Sequence, residues 1–356
     1  MKALKQLTLA GVALAVAGSM MLASCGGSGT ASNTDSTANK SGEDNTILGA
    51  GATFPNPLYS KMFSEYNKTT GLKVNYQSIG SGGGIQQLTS KTVDFGASDG
   101  PMSDENLAKA PGKILHIPTV AGAVVLTYKL PENVELKFDG PTIAEIFLGK
   151  ITKWNDKRIS ALNPGVKLPD LDLVVVHRSD GSGTSYIFTD FLSSVSPEWE
   201  KQVGRNTSVK WPTGLGAKGN EGVAGQVKQL PGTIGYVEFA YAHQNKLPVA
   251  EIKNAGGNFI APTIGSVTEA LASAKVPDDF RFSMVNPAGA KAYPIAGATW
   301  LLVYAEQKDP QKGKKLVEFL NWALTKGETM ASSLDYASLP QSLEDRVLER
   351  IKTIKY

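Results

Sequence analysis

An arginine and a cluster of hydroxyl and glycine residues stand where a strand is expected to turn into a helix. Val174–Val176 is a β-branched run, Arg178 follows, and residues 180–185 read Asp-Gly-Ser-Gly-Thr-Ser ahead of an amphipathic segment. The first turn of a helix has unpaired N–H groups and partial positive charge, so an anion docks there readily. Ser182 and Thr184 add hydroxyl donors, and the guanidinium fits a tetrahedral oxyanion. Since no Lys-Ser/Thr pair follows, the pattern predicts a small-oxyanion site and not a nucleotide P-loop.

Three more segments place polar groups or flexible backbone at the end of an expected strand or the start of an expected helix. The first, residues 49–55, offers the hydroxyl of Thr53, and the second, residues 78–85, offers Ser81 within a run of glycines. The third follows an expected strand and carries Asp99. Together with the arginine segment they predict one anion site. Asp99 is unexpected there, because a carboxylate should repel an anion.

Asp99 is the most specific of these residues because its charge has the wrong sign for a general anion site. Near neutral pH inorganic phosphate still carries a proton, whereas sulfate carries none. An ionised aspartate only accepts hydrogen bonds, so it pairs with P–OH but repels sulfate. An unpaired group in a buried site costs several kcal/mol, which allows discrimination of roughly a thousandfold or more. One aspartate among donors therefore predicts a phosphate site that excludes sulfate.

Each of these features also has an ordinary structural interpretation. A single glycine-rich loop before a helix is usually only a connection. Asp99 could cap a helix expected over residues 102–107, Asp180 could occupy a turn, and Arg178 could be a surface charge. The functional hypothesis depends on the four segments acting together.

The N-terminal sequence indicates secretion and a lipid anchor. Residues 1–24 combine a basic start, an apolar run and small residues, as in a signal peptide. Cys25 is the only cysteine, so no internal disulfide can form. The Leu-Ala-Ser-Cys run at 22–25 resembles a bacterial lipobox, in which the cysteine is acylated after cleavage; an ordinary signal peptide with a chance cysteine is the alternative. Residues 25–45 are poor in apolar side chains and are expected to form a flexible tether.

The composition of the body, from about residue 46 to Tyr356, limits the function classes. Without Lys2 and Lys5 of the signal segment, the rest of the chain, tether included, has a formal net charge of +1, and no basic block supports nucleic-acid binding. Strands and helices alternate along the body, which predicts an α/β fold. Its length suits two domains.

A secreted phosphatase or serine hydrolase is the competing class of function. The three histidines, His116, His177 and His243, are widely separated and lack metal-ligand spacing. Ser182 lacks the glycines two residues before and two residues after the serine that a nucleophile elbow requires. The sequence therefore predicts a binding protein, with no catalytic residue, metal or cofactor. A phosphate sensor or surface protein with the same pocket is not excluded.

Eight motifs occur in the order found in one known family. They are Gly-Ala-Gly-Ala-Thr-Phe-Pro at 49–55, Ile-Gly-Ser-Gly-Gly-Gly at 79–84, Val-Asp-Phe-Gly-Ala-Ser-Asp at 93–99, Leu-Gly-Lys-Ile at 148–151, Asp-Gly-Ser-Gly-Thr-Ser at 180–185, Lys-Trp-Pro at 210–212, Pro-Gly-Thr-Ile-Gly-Tyr-Val-Glu at 231–238 and Leu-Asp-Tyr-Ala-Ser-Leu-Pro at 334–340. Through them the body resembles the periplasmic phosphate-binding proteins of bacterial high-affinity phosphate ABC transporters.

The resemblance implies an α/β, two-lobed type II periplasmic-binding-protein fold with phosphate in the cleft between the lobes. Lobe I would comprise residues 46–126 plus 294–356, and lobe II residues 127–293. Asp180 matches the family carboxylate that braces the arginine. The implied ligand contacts, carried over position by position, are Thr53, Phe54 through its backbone N–H, Ser81, Asp99, Arg178, Ser182, Gly183 and Thr184.

The resemblance also implies a cellular role. The protein would be a monomer anchored by lipid to a bacterial membrane, in the periplasm or another extracytoplasmic space. It would bind inorganic phosphate there and deliver it to the permease subunits of an ABC transporter. A separate ATPase would supply the energy, since the chain itself has no Walker motif.

Overall fold

The computed structural model describes residues 45–356. The predictions of a signal peptide over residues 1–24, of lipidation at Cys25 and of a tether up to Asp44 lie outside this range. Within residues 45–356, no helix is both long and apolar enough to span a bilayer.

Twelve strands and twelve α-helices follow one another in the described residues. The strands are β1 (Thr46–Gly51), β2 (Lys73–Ser78), β3 (Phe95–Ser98), β4 (Ile114–Tyr128), β5 (Lys137–Phe138), β6 (Val174–Arg178), β7 (Leu215–Ala217), β8 (Thr233–Glu238), β9 (Glu251–Lys253), β10 (Phe259–Ile260), β11 (Ala296–Tyr304) and β12 (Ala337–Ser338). The helices are α1 (Asn56–Thr70), α2 (Ser81–Thr89), α3 (Asp104–Lys109), α4 (Gly140–Phe147), α5 (Lys157–Leu162), α6 (Gly183–Val195), α7 (Pro197–Gln202), α8 (Gly219–Gln229), α9 (Phe239–Gln244), α10 (Ile264–Ala272), α11 (Pro310–Thr325) and α12 (Gln341–Ile351).

Nine of these strands form one sheet, in the order β2-β1-β3-β11-β4-β8-β6-β7, with β12 paired to β4. Strands β1, β2 and β3 are parallel, as are β6, β7 and β8. The long strands β11 and β4 run antiparallel to their neighbours. We call β2-β1-β3-β11 the β1 half of the sheet and β8-β6-β7 the β6 half. Strands β10, β9 and β5 form a separate small sheet.

Strand β4 joins the two halves because it pairs with both. Residues 114–123 pair with β11, and residues 124–128 pair with β8. All 15 residues of β4 are buried, which explains a nearly continuous apolar sequence in place of alternation. The α/β class predicted from the alternating elements is confirmed. The division into lobe I and lobe II at the residues given above stays a prediction.

Aromatic clusters hold helices against each half of the sheet. In the β1 half, Phe63 of α1, Phe95 of β3 and Phe319 of α11 pack with ring centroids 5.6 to 6.3 Å apart. In the β6 half, Phe188 of α6 stacks on Tyr236 of β8 at 4.3 Å. Such packing stabilises a helix more than its intrinsic propensity does. Helices α1 and α6 are therefore packed against the sheet through these rings.

Candidate anion-binding site

The carboxyl ends of the parallel strands bring the four predicted segments together. Strand β1 leads to Thr53, β2 to Ser81 and β3 to Asp99, while β6 ends at Arg178. In α/β sheets this edge is the usual place for a ligand. The eight residues that the resemblance assigns to the ligand are all buried: Thr53, Phe54, Ser81, Asp99, Arg178, Ser182, Gly183 and Thr184.

Segments from the two halves of the sheet lie directly against each other at this edge. The backbone N–H of Gly183 donates to Ser81 Oγ at 3.0 Å, and that of Gly82 donates to the Gly181 carbonyl at 2.9 Å. A methyl group on Gly183 would lie 2.5 Å from the backbone nitrogen of Asp99. Glycine is therefore required at 183 for this approach.

The hydroxyl groups of Ser81 and Ser182 each accept hydrogen bonds within the protein, which fixes the direction in which they can donate. Ser81 Oγ accepts from the backbone N–H groups of Asp99 and Gly183, at 3.2 and 3.0 Å. Ser182 Oγ accepts from the Ser185 N–H at 3.0 Å, as the N-cap of α6. A serine hydroxyl has one proton and two lone pairs. Because these contacts use lone pairs, both protons are left to donate to an acceptor in the cleft.

The guanidinium of Arg178 is held by the carboxylate of Asp180. Its Nε and Nη2 atoms lie 2.8 and 2.6 Å from the two carboxylate oxygens. Burial by itself would lower the pKa of Arg178, but the hydrogen bonds and charge of Asp180 raise it overall. Burial would raise the pKa of Asp180, but the arginine lowers it overall. This bidentate pairing leaves Nη1, 3.4 Å from Thr184 Oγ1, as the donor for an anion.

One carboxylate oxygen of Asp99 is hydrogen-bonded within the protein, and the other faces the start of α6. Thr299 Oγ1 donates to Oδ1 at 2.8 Å. A methyl group on Gly183 would lie 2.6 Å from Oδ2. Burial raises the pKa of Asp99 to about 7, against the opposing effects of Thr299 and Arg178. The alternative role as a helix cap is wrong, because α3 begins at residue 104 and Ser103 caps it.

Four helices begin around these residues: α1, α2, α6 and α8. Their N-termini bring partial positive charge to the cleft. This matters because the charge of Arg178 is largely balanced by Asp180. The site is thus suited to an anion through many oriented donors and not through a large net charge.

Glu238 is a buried carboxyl group next to the Phe54 segment. Tyr336 Oη lies 2.7 Å from the Phe54 carbonyl oxygen and 3.0 Å from Glu238 Oε2. Glu238 Oε2 accepts from the Tyr336 hydroxyl and also from the Ala240 N–H, at 2.9 Å. Burial raises the pKa of Glu238 well above its usual range. Burial therefore favours the neutral form of this carboxyl group beside the anion site.

The histidines have ordinary packing roles. His116 is buried, which lowers its pKa to about 4. His177 stacks on Trp211 at 4.9 Å, and the exposed His243 contacts Asp335 at 2.6 Å. Among residues 45–356, no cluster of three or more histidine, cysteine, aspartate or glutamate side chains is placed to hold a metal ion.

The sequence reasoning missed two polar residues that contact the predicted set. Thr299, in the middle of β11, donates to Asp99. Asn220, at the start of α8, lies with its side-chain nitrogen 2.7 Å from Thr53 Oγ1 and 3.0 Å from Thr184 Oγ1. The adjacent Gly219, the first residue of α8 and two residues after the end of β7, is the signal that could have located Asn220.

Comparison with known proteins places the chain in a family. A family model described as a PBP superfamily domain matches residues 31–326. The phosphate-binding protein PstS of Pasteurella multocida is 46% identical over 86% of this chain and 90% of its own length. The PstS protein of Methanocaldococcus jannaschii is 36% identical over 94% of this chain and 92% of its own length. The chain belongs to the PstS family of phosphate-binding proteins.

Solved structures show the family fold at lower sequence identity. A high-affinity periplasmic phosphate-binding protein (PfluDING) bound with phosphate has a TM-score of 0.69 at 21% identity, covering 85% of this chain and 92% of its own. An ABC-type phosphate transport receptor from Vibrio cholerae has a TM-score of 0.55 at 17% identity, covering 83% and 100%. These likenesses confirm the two-lobed type II periplasmic-binding-protein fold.

Proposed function

We propose that this protein binds inorganic phosphate outside the cytoplasmic membrane and delivers it to the permease subunits of an ABC transporter, driven by a separate ATPase. The observation that carries the proposal is the buried carboxyl group of Asp99, which lies among hydrogen-bond donors in the predicted ligand set. A hydrogen phosphate ion has many acceptor oxygens and one P–OH donor, which complements this set. The names of the relatives, which are phosphate-binding proteins, support the same ligand.

In this proposal Asp99 accepts the hydrogen bond from P–OH and the other ligand residues donate. The donors are the hydroxyls of Thr53, Ser81, Ser182 and Thr184, the guanidinium of Arg178 and the backbone N–H of Phe54, and Gly183 contacts the ligand at the start of α6. Asp180 orients the guanidinium through its two hydrogen bonds. Buried donors that face charged oxygens make shorter and stronger hydrogen bonds than neutral pairs.

Phosphate would stabilise the closed arrangement of the two halves. Thr53, Phe54, Ser81 and Asp99 follow strands of the β1 half, whereas the arginine segment follows β6. A ligand that contacts both sets binds the closed form better than the open form and shifts the population toward it. A permease that recognises the closed form would then receive loaded protein.

We propose further that Cys25 carries a lipid anchor at a bacterial membrane, with residues 26–45 as the tether of a monomeric body. A binding protein is favoured over an enzyme by the contacts of Ser182. This serine, the candidate nucleophile in the sequence, serves as the N-cap of α6. The nearest histidine in sequence, His177, stacks on Trp211.

Calorimetric titration of the purified protein with phosphate, arsenate and sulfate tests the ligand. We expect phosphate and arsenate to bind and sulfate to give no heat of binding. Equal affinity for sulfate, or no binding of phosphate, would contradict the proposal. Release of phosphate from p-nitrophenyl phosphate would indicate an enzyme instead.

Uptake of radiolabelled phosphate by cells that lack this protein tests delivery to a transporter. We expect uptake from micromolar phosphate to fall, and to return when the gene is restored. Unchanged uptake, with altered phosphate-responsive gene expression, would indicate a sensor and contradict the transport role.

A further inference from the structure

Asn220 is a buried side chain that links the two threonines of the site. It is 0% exposed and is the second residue of α8. Its Nδ2 lies 2.7 Å from Thr53 Oγ1 and 3.0 Å from Thr184 Oγ1. Its backbone N–H also donates to Thr53 Oγ1, at 3.2 Å. Because Thr53 follows β1 and Thr184 belongs to α6, Asn220 contacts ligand segments from both halves of the sheet.

A third contact fixes the orientation of the Asn220 amide. The backbone N–H of Glu238 lies 2.9 Å from the Asn220 Oδ1 atom. A backbone N–H only donates, so the atom that faces it must be the carbonyl oxygen. A flipped amide would set two donors against each other there and leave the carbonyl facing the threonines. The nitrogen of Asn220 therefore faces both threonine hydroxyls and donates one proton to each.

The orientation of the Asn220 amide determines where the hydroxyl protons of Thr53 and Thr184 can point. Each threonine oxygen accepts from Asn220, so its own proton must donate in another direction. We propose that Asn220 is a positioning residue that directs the hydroxyl protons of Thr53 and Thr184 toward bound phosphate. This inference rests on the proposed function, since it assigns a role to Asn220 in the same site. A ligand atom that faces these hydroxyls must then be an acceptor, as phosphate oxygens are.

Substitution of Asn220 by alanine, followed by calorimetry with inorganic phosphate, tests the role. Loss of the two side-chain donors leaves the Thr53 hydroxyl with only the backbone N–H of residue 220, and the Thr184 hydroxyl with only the 3.4 Å contact from Arg178 Nη1. Both hydroxyl protons are then less firmly directed, and we expect affinity to fall by about tenfold to a hundredfold. Asn254→Ala is the matched control. Asn254 is also buried, and its Nδ2 donates to the carbonyls of Gly289 and Ala290, which are not site residues. The affinity of Asn254→Ala for phosphate should stay within about twofold of that of the wild type.

Two double-mutant cycles separate a positioning role from simple space filling. If Asn220 acts through the Thr184 hydroxyl, Asn220→Ala should cost much less in a Thr184→Val background than in the wild type. Ser182 is the internal control, because its hydroxyl is held by the Ser185 N–H and not by Asn220. The effects of Asn220→Ala and Ser182→Ala should therefore add.

The results divide clearly between the two proposals. Wild-type affinity in Asn220→Ala, or additivity with both Thr184→Val and Ser182→Ala, would overturn the positioning role while phosphate binding stands. Absence of phosphate binding by the wild-type protein would overturn the proposed function and this inference together. If Asn220→Ala does not fold, Asn220→Ser keeps a polar side chain at the start of α8 and is taken through the same cycles. A folded Asn220→Ser with wild-type affinity would overturn the role.

Discussion

Replacing Asp99 by asparagine tests the physical basis of phosphate selectivity. The two side chains have nearly the same shape, and asparagine Oδ1 can accept the hydrogen bond that Thr299 gives to Asp99 at 2.8 Å. The substitution replaces the other carboxylate oxygen, Oδ2, by an amide nitrogen, which donates hydrogen bonds and carries no charge. We expect Asp99→Asn to bind phosphate with a modest change in affinity and to bind sulfate measurably.

The magnitude follows from the buried carboxyl group. Its pKa rises from 3.8 to about 7 on burial. This shift means that ionising Asp99 costs about 4 kcal/mol more in the folded protein than in the unfolded chain. In the pH range between these values the native protein holds a proton that the unfolded chain releases, so wild-type stability falls as the pH rises. Asparagine does not titrate. The stability of Asp99→Asn relative to the wild type should therefore increase by about 2–3 kcal/mol from pH 5 to pH 8.

Sulfate affinity should respond to the same protonation. Above about pH 7 the ionised Asp99 of the wild type repels sulfate. Asp99→Asn removes this repulsion, which can lower the affinity for sulfate by up to about a thousandfold. As the pH falls below that value, Asp99 becomes neutral and can donate to a sulfate oxygen. The wild type should then gain sulfate affinity on acidification, while the variant should not.

Titration of both proteins with sulfate in phosphate-free buffer, at pH 5 and pH 8, measures these effects. Thermal unfolding at both pH values measures the stability difference. Glu328, whose pKa burial also raises to about 7, is present in both proteins, so its contribution cancels. If Asp99→Asn rejects sulfate at pH 8 as completely as the wild type does, selectivity must come from cavity shape or backbone geometry. A wild-type sulfate affinity independent of pH would refute the protonation argument.

Three further substitutions test other parts of the proposal. Arg178→Ala removes the one full positive charge of the set and should weaken phosphate binding by about 2–5 kcal/mol in calorimetry; undiminished affinity would exclude this residue from the site. Gly183→Ala places a methyl group 2.5 Å from the Asp99 nitrogen, so the cleft cannot close fully and affinity should fall at least about tenfold; wild-type affinity would show that the approach is not needed. Cys25→Ala should abolish incorporation of labelled palmitate, and labelling that persists would refute the lipid anchor.

Local periodicity located the elements of the fold but not their neighbours. Apolar residues recur with helical spacing over residues 57–68 and 314–324, and these ranges lie within α1 and α11. Residues 117–128 are a β-rich run in the sequence, and strand β4 begins three residues before it, at Ile114. Its pairing with both β11 and β8 had no local signal, because a strand buried on both faces shows no alternation and pairs with partners far along the chain.

The site separates into residues that the sequence could indicate and residues that it could not. Segments such as those of Ser81 and Ser182 share a local pattern, in which a strand meets glycines and hydroxyls at the first turn of a helix, because an anion needs those N–H groups. Thr299 does not share it. Asn220 shares only the glycine that follows a strand, which could locate this residue but not its partners Thr53 and Thr184, far away in sequence. Thr299 stands inside a buried strand, where threonine is an ordinary residue. An orienting residue needs only to be near its partner in space, so it is found from the hydrogen bonds of the folded chain.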